Sequence, residues 1–417
     1  MAFQQGLSGL NASSKNLEVI GNNVANANTV GSKESRAEFG DMYASAVSNT
    51  SVGIGVNLQA VTQQFTQGNI TTTDNPLDLA INGNGFFEVS NGNQTLYTRN
   101  GQFQANKDGY IVNNAGLKLI GYPASKDGTI QPGAAVPLQL PTGNVPPNPT
   151  SKNSIELNLD SREATTLPVG TPQISFTDAT TYNHATSVTA YDAKGQDVAV
   201  TYYFQKSATD TWNVYATANG TSVKTDASGN PLPVTTVNFA ADGSKPTTPA
   251  GPVSVDIPAT TNAAGAATLP ITGVALDLRG ATQFGSSYGV TNMTQDGYAA
   301  GQLVSVAIET SGIVTATYSN GQSKPAGQLE LATFRNPQGL SPLGGNLWAG
   351  SFASGNATVG TPSTGNIGKL QAGALEQSNT DLTSELVNMI TAQRVYQANA
   401  QTIKTEDQIM QTLVNLR

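Results

Sequence analysis

The sequence predicts an α+β protein that is mainly β, with two β-rich domains, the second inserted in the first, and N- and C-terminal α-helices that pair as a coiled-coil-like domain. Three observations predict this fold class. Apolar residues recur every seven positions at both ends of the chain. Between the ends they alternate with a period of two, and Asn-Gly pairs and Pro-rich runs interrupt the alternation as turns and linkers do.

The first helix is predicted from Phe3 to about Val24, with Asn, Gln and Ser on its outer face. Asn26 to Gly31 supply the turn residues that end it. A helix of this length is marginal alone in water, so it needs packing partners. The side chains that we expect to pack against other helices are Phe3, Leu7, Leu10, Leu17 and Val24.

The second helix is predicted from Thr380 to Leu416, a length of about 55 Å at ~1.5 Å per residue. Ser378 or Asn379 is expected to cap its N-terminus. Its predicted packing residues are Leu382, Leu386, Met389, Tyr396, Ile403, Met410 and Val414. Two helices alone would leave other apolar side chains in water, namely Ile20, Val387, Ile390, Ile409 and Leu413. The ends are therefore predicted to contact each other and also further copies of the chain.

The middle of the chain is predicted to be all-β. Six Asn-Gly pairs mark tight turns, beginning at Asn82, Asn84, Asn91, Asn100, Asn219 and Asn320. A Pro-rich run over residues 141–149 predicts a linker. The predicted domains are a terminal helical domain (1–30 and 371–417), a connecting segment (31–70), a first β domain (71–145 and 284–370) and an inserted outer β domain (146–283).

Composition excludes several classes of protein. Charged residues make up 12% of the chain, about half of the roughly 25% of ordinary domains. The net charge of −8 and the lack of any Lys/Arg cluster argue against nucleic-acid and anionic-membrane partners. No apolar run is long enough for membrane insertion, and no Sec-type signal peptide opens the sequence. The absence of Cys excludes disulfides and thiolate chemistry.

Candidate catalytic groups are few. His184 is the one histidine, and it lies in a polar context that favours a solvated side chain. Residues 285–289 match the G-x-S-x-G pattern, but the sequence that follows is not helical, as a nucleophile elbow requires. Asp192 and Asp197 fit a hairpin turn better than a calcium loop. We therefore expect no catalytic residue, no metal and no cofactor.

Several motifs resemble those of the bacterial flagellar axial proteins, most closely the hook proteins. The residues Ala25, Asn26, Asn28, Thr29 and Gly31 resemble the N-terminal rod-and-hook signature, with Ser32 where an aromatic residue usually follows. Further similarity covers residues 78–87 and 97–103, the inserted-domain segments 188–195 and 202–204, and the C-terminal segments 378–382 and 389–399. Rod proteins share the ends but generally lack so large an insertion, and junction proteins are longer, so length favours a hook protein.

This resemblance implies a subunit that polymerises into a curved hollow tube, which acts as a universal joint and transmits torque from the basal-body rod to the filament. It implies as partners other copies of the chain, flagellar rod and hook–filament junction proteins, the hook cap during assembly, and the type III export apparatus. The implied location is extracellular, in the hook attached to the basal body, after export without a cleaved signal peptide.

Two alternatives remain open on the sequence. One is a distal rod or other flagellar axial protein. The other, from a different class, is a secreted β-rich carbohydrate-binding protein or enzyme that carries oligomerising helices. The second would be expected to display an aromatic platform, whereas Trp212 and Trp348 are the only tryptophans and lie far apart in sequence.

Overall fold

The structure is a computed structural model, and it describes residues 2–42, 53, 55–92, 94–125, 128–167 and 170–415. Two long helices lie at the ends of the described chain, α1 (Ala2–Ala25) and α2 (Leu382–Asn415). Short 3-10 helices occupy Ala179–Thr181 and Pro337–Gly339. The rest is mainly β, so the predicted fold class of a mainly β protein with terminal helices is confirmed.

The strands follow in chain order. The first ten are β1 (Ser35–Met42), β2 (Gly55–Gln63), β3 (Ile70–Thr72), β4 (Leu79–Asn82), β5 (Phe86–Ser90), β6 (Thr95–Thr98), β7 (Phe103–Ala105), β8 (Ile111–Asn113), β9 (Lys118–Pro123) and β10 (Val136–Pro137). The next ten are β11 (Lys152–Asn158), β12 (His184–Tyr191), β13 (Asp197–Ala208), β14 (Thr211–Ala218), β15 (Thr221–Ser222), β16 (Thr235–Phe239), β17 (Pro246–Thr248), β18 (Val253–Ile257), β19 (Ile271–Asp277) and β20 (Gly289–Gln295). The last nine are β21 (Leu303–Ile308), β22 (Ile313–Tyr318), β23 (Ser323–Leu329), β24 (Leu331–Thr333), β25 (Ser341–Gly344), β26 (Leu347–Ala349), β27 (Thr358–Gly360), β28 (Lys369–Ala372) and β29 (Ala374–Glu376).

The chain forms two compact units: unit 1 is Met1–Thr142, Val304–Thr317 and Ser323–Arg417, and unit 2 is Gly143–Leu303 and Tyr318–Gln322. Unit 1 contains both helices and a large sheet whose main path runs β21-β22-β23-β9-β5-β6-β26-β25. Alternate residues of these strands face a buried core that includes Phe87, Leu119 and Leu329. A smaller aromatic cluster contains Phe86 and Trp348, whose rings meet edge to face with centroids 5.8 Å apart.

Unit 2 contains two sheets, one ordered β18-β19-β11-β20 and the other β12-β13-β14-β16-β17. Side chains from both sheets form one core, in which Tyr202, Phe204, Trp212 and Leu276 are almost completely buried. Asn153 of the first sheet donates a hydrogen bond of 2.9 Å to the hydroxyl of Tyr202 in the second. Unit 2 therefore buries the apolar faces of both sheets within its own core.

Several predicted boundaries differ from the structure. Strand β20 pairs with β11 and so belongs to unit 2, which extends to Leu303, and the predicted return to the first β domain at residue 284 comes too early. Strands β15 to β19 lie in Ala/Thr/Pro-rich sequence for which no strand was predicted. The hairpin of β1 and β2 lies in the predicted connecting segment, where residues 43–52 and 54 fall outside the described residues.

The predicted cap of the second helix is also wrong. Asp381, not Ser378 or Asn379, accepts hydrogen bonds from the backbone N–H groups of Thr383 (2.9 Å) and Ser384 (3.3 Å). Asn379 is used elsewhere, because its side chain bridges the segments around Glu34 and Thr66. An Asx side chain can cap only if it lies directly before the first helical turn, and Asp381 occupies that position.

Candidate subunit-packing site

The two terminal helices pack along each other through small residues of α1. A Cβ atom on Gly6 would lie 3.1 Å from Cγ1 of Ile403, and one on Gly9 would lie 2.9 Å from the side-chain amide of Asn399. Ser13 and Ile20 continue this face at seven-residue spacing, and both are buried. Because glycine has no side chain, the helix backbones approach closely where α1 passes Ile403 and Asn399.

The predicted apolar line of α1 therefore lies beside this contact rather than at its centre. Phe3 is 50% exposed and Leu7 44% exposed, whereas Leu10, Leu17 and Val24 are partly buried. The seven-residue repeat was read from large apolar side chains, so the small residues Gly6, Gly9 and Ser13 were not predicted to form the contact. A pattern of small residues every three to four positions is the signal that could have located the contact.

On α2, the predicted packing residues divide into two groups. Met389 and Ile403 are partly buried and lie near the helix contact, together with the buried Glu385 and Ala392. The others are exposed in the single chain, namely Leu382, Leu386, Tyr396, Met410 and Val414. Their role in packing against other copies stays a prediction.

Exposed apolar side chains form a line on the outer side of α2. Leu382, Leu386 and Ile390 succeed one another at four-residue spacing, and Leu386 lies about 120° around the helix from the buried Ala392. We call these three residues the outer stripe. Val387 beside them is 58% exposed, which widens the apolar surface. Adjacent exposed apolar side chains on a polar chain are consistent with the prediction that this side of α2 contacts other molecules.

The family motif forms the turn that connects α1 to the β structure of unit 1. Gly31 has φ of +71° and donates its N–H to the carbonyl of Glu376 at 2.8 Å. A Cβ there would lie 2.5 Å from the backbone N of Asn100. The carbonyl of Val30 accepts a 2.8 Å hydrogen bond from Asn346. Only glycine fits this close approach with a left-handed backbone, so the motif fixes the course of the chain after α1.

Directly after this turn, three charged side chains meet in the interior of unit 1. The ammonium of Lys33 lies 2.7 Å from one carboxylate oxygen of Glu376, and the guanidinium of Arg99 lies 3.1 Å from the other. The side chains of Lys33 and Glu376 are fully buried. We call Lys33, Arg99 and Glu376 the buried triad. It joins the N-terminal segment, the β structure and the segment before α2.

Backbone groups supply further hydrogen bonds to the buried triad, although Nε of Arg99 has no partner among the described residues. Lys33 donates to the carbonyl of Thr66 at 2.7 Å, and the N–H of Gly68 donates to Glu376 at 2.9 Å. Burial lowers the pKa of Lys33, and the charge of Glu376 opposes that effect. Burial likewise lowers the pKa of Arg99. Sequence analysis missed these three residues because each is a single charge far in sequence from the others.

The candidate catalytic groups lie in ordinary structural positions in unit 2. The ring of His184 stacks on that of Tyr288 with centroids 4.0 Å apart, and its Nε2 lies 3.4 Å from Glu163. Asp192 begins the hairpin turn between β12 and β13, as predicted. Within the described ranges, no three His, Asp or Glu side chains are placed to hold a metal ion. No described helix has the length and apolar character that crossing a membrane requires.

Four family models match the chain. They are the flagella basal body rod protein model (residues 3–33), the flagellar hook protein FlgE/F/G D1 domain (80–161), the flagellar basal body protein FlaE D2 domain (158–298) and the flagellar basal body rod FlgEFG protein C-terminal model (371–416). These ranges include α1 with the motif turn, much of the β structure, and α2.

Curated relatives match over the whole length. The flagellar hook protein FlgE of Salmonella typhimurium is 42% identical over 423 residues, and that of Escherichia coli K12 is 42% identical over 421, with all of both chains covered in each case. Among solved structures, the flagellar hook protein FlgE2 of Helicobacter pylori is similar with a TM-score of 0.52 and 16% identity, covering 74% of this chain and all of that one. The last similarity concerns the fold alone.

Proposed function

The chain belongs to the flagellar hook protein family, and we propose that it is the structural subunit that polymerises into the curved hollow tube of the bacterial hook. In this role it transmits torque from the basal-body rod to the filament as a universal joint. The domains proposed to form the contacts between copies are the terminal segments, 1–30 and 371–417. The proposed function is mechanical, with no catalytic step and no cofactor.

The observation that carries this proposal is the exposed apolar surface of α2. Among the described residues, the side chains of the outer stripe and Val387 are 44–58% exposed, although the same helix packs against α1 on its other side. A contact between different surfaces of successive copies does not close on itself and produces a helical filament. An apolar stripe on a long terminal helix supports a contact of that kind.

The proposed partners follow from the position of a hook in the flagellum. They are other copies of the chain, the rod and hook–filament junction proteins at its two ends, the hook cap during assembly, and the type III export apparatus. The proposed location is extracellular, after export without a cleaved signal peptide.

Polymerisation of the purified protein tests the proposal. We expect hollow tubes by electron microscopy after salt is added, because salt strengthens the burial of apolar surface. A full-length variant with Leu386→Ser and Ile390→Ser is the matched control, because both side chains are exposed in the single chain, and it should remain as discrete particles. Discrete particles of the full chain that bind glycans would contradict the proposal and support the carbohydrate-binding alternative.

A further inference from the structure

A cavity of about 310 Å³ lies between α1, α2 and the beginning of β1 in unit 1. Its lining includes Ile20 and Ala392, which are buried, and the acidic residues Glu34 and Glu385. The lining therefore mixes apolar residues with uncharged polar residues such as Asn23 and Asn388, and it is acidic where Glu34 and Glu385 meet. None of its lining residues belongs to the buried triad.

Glu385 is the unusual member of this lining. It is 5% exposed, and its Oε2 atom has no hydrogen-bond donor among the described residues. A buried carboxylate without a donor is costly, so proteins normally provide a cation or a hydrogen-bond donor for it. Glu34 cannot do so as an anion. Burial, the charge of Glu385 and a side-chain hydrogen bond between the two carboxyl groups raise the pKa of Glu34, so a proton shared with Glu34 is an alternative to a cation that the lining itself offers.

The one cation that lines the cavity is already engaged. Arg36 lies 2.6 Å from Glu38, and its side chain is largely exposed on β1. The charge of Arg36 lowers the pKa of Glu34, but burial and the charge of Glu385, which both raise that pKa, have larger effects. The acidic place in the cavity therefore lacks a cation from the described part of its own chain.

A cation for which the described part of the chain provides no ion pair lies on the outer side of α2. Arg394 is exposed, and it continues the outer stripe at the same four-residue spacing, after Leu386 and Ile390. It is nine residues from Glu385, which places it half a turn out of phase and about 13.5 Å along the helix. Arg394 cannot reach Glu385 of its own copy, but it is presented together with an apolar surface that a second copy can cover.

We propose that the cavity between α1 and α2 is an acceptor site for the guanidinium of Arg394 from a second copy of the chain, held by Glu385 with Glu34 beside it. This inference rests on the proposed polymerisation and names one of its contacts. The outer stripe of one copy packs over the apolar residues of the lining, Val19, Ile20 and Val395 among them, and Arg394 supplies a positive charge to Glu385. A guanidinium suits this site because it donates two parallel hydrogen bonds to a carboxylate.

Such a contact joins two different surfaces, the outer side of α2 on one copy and the groove between α1 and α2 on the next. It therefore propagates along an array of copies instead of closing into a dimer. Charge pairing within a largely apolar contact also fixes the register of successive copies.

The test is a double-mutant cycle with Arg394→Gln, Glu385→Gln and the double variant, and Lys404→Gln as the matched control. Lys404 is an exposed cation on the same helix, so its loss changes net charge equally. We expect each single variant of the pair to raise the critical concentration for polymerisation about tenfold or more, and Lys404→Gln to raise it less than threefold. The critical concentration of the double variant should not exceed that of the more strongly affected single variant, because both substitutions remove the same interaction.

Thermal unfolding of the unpolymerised chain separates this role from a structural one. Arg394→Gln should leave the midpoint unchanged, and Glu385→Gln should leave it unchanged or raise it, because a buried charge beside Glu34 is removed. Wild-type polymerisation by Arg394→Gln would overturn the inference, and would assign the cavity to a solvent cation or to a proton shared by Glu34 and Glu385. Additive effects in the double variant would also overturn it. Failure of the wild type to polymerise would overturn the proposed function as well.

Discussion

The β core of unit 2 and the terminal helices of unit 1 bury their apolar side chains to very different extents. In unit 2, two sheets enclose Tyr202, Phe204 and Trp212 with almost no exposure. The terminal helices contact each other through Gly6 and Gly9, and much of the large apolar surface of α2 remains exposed. One region completes its core within the chain, whereas the other has an outer surface that fits a contact with further copies.

This difference shows that the two regions have different requirements. A β unit that carries its own core keeps its structure whether or not the chain has assembled. Helices in proteins gain most of their stability from the packing of an apolar face, and the outer side of α2 has little such packing among the described residues. Assembly is then expected to stabilise the ends far more than unit 2.

Truncating a leucine to alanine in each region should give the largest difference in unfolding free energy between the two regions. Leu276→Ala removes a fully buried side chain of unit 2 and should cost about 2–5 kcal/mol of unfolding free energy. Leu386→Ala removes a side chain of the outer stripe that is 45% exposed and should change stability by about 0.5 kcal/mol or less. Urea unfolding of the unpolymerised chain, followed by Trp212 fluorescence and by hydrogen exchange in α2, measures both.

The order of the two effects should reverse in a polymerisation assay. Leu386→Ala should raise the critical concentration, whereas Leu276→Ala should leave the contacts between copies unchanged at temperatures where unit 2 is folded. If Leu386→Ala destabilised the single chain as much as Leu276→Ala, the contrast between the two regions would be wrong.

A second prediction concerns the buried triad, which ties the helices to the β structure. Glu376→Gln leaves Lys33 and Arg99 buried without their anion, and should cost about 3–5 kcal/mol. Lys33→Met keeps the pair of Arg99 and Glu376. The carbonyl of Thr66 and Glu376 each lose one donor but keep another, from Asn379 and Gly68, so the substitution should cost about 1 kcal/mol. Calorimetry of the unpolymerised chain gives both values, and amide exchange at Gly31 and Gly68 locates the change.

The order of these two costs is the critical outcome. Lys33→Met in the Glu376→Gln background should recover part of the loss, since it removes one of the two unpaired cations. Equal costs for the two single variants, or no recovery in the double variant, would show that the charges do not act as one cluster.

The sequence could predict most of the fold because each element carries a local pattern. The outlines of α1 and α2 followed from heptad spacing, and several turns followed from Asn-Gly pairs, such as Asn82-Gly83 with φ of +111° at the glycine. Strands β15 to β19 were missed because Pro, Gly and Thr dilute their alternation of apolar and polar residues, although most of them pair with a strand adjacent in sequence.

The contacts of the candidate site were less predictable. Lys33 and Glu376 are 343 positions apart, and the sequence around each residue contains no pattern that predicts a buried ion pair. The contact of α1 with α2 depends on Gly6 and Gly9, which an apolar count ignores although they decide how closely two helices approach. Tertiary juxtaposition of single residues has no local pattern from which it can be predicted.

A smaller effect is expected from pH in the β structure of unit 1. Burial, with the nearby charge of Glu330, raises the pKa of Glu88 from 4.5 to about 7. Between these values the folded chain holds a proton that the unfolded chain has lost, so stability should fall as pH rises through this window and then level off. Glu88→Gln should flatten the fall, with a higher unfolding midpoint than wild type at pH 8 and an equal one at pH 4. A steeper fall in this variant would contradict the assignment.

Amide hydrogen exchange on verified monomer and on sedimented polymer shows whether the terminal helices need further copies to become ordered. We expect weak protection of residues 3–24 and of the exposed side of α2 in the monomer, and strong protection of both in the polymer. Strands β13 and β14 of unit 2 serve as the internal control and should be equally protected in both states. Strong protection of the terminal helices in the monomer, unchanged on assembly, would show that they need no other copy and would contradict the account.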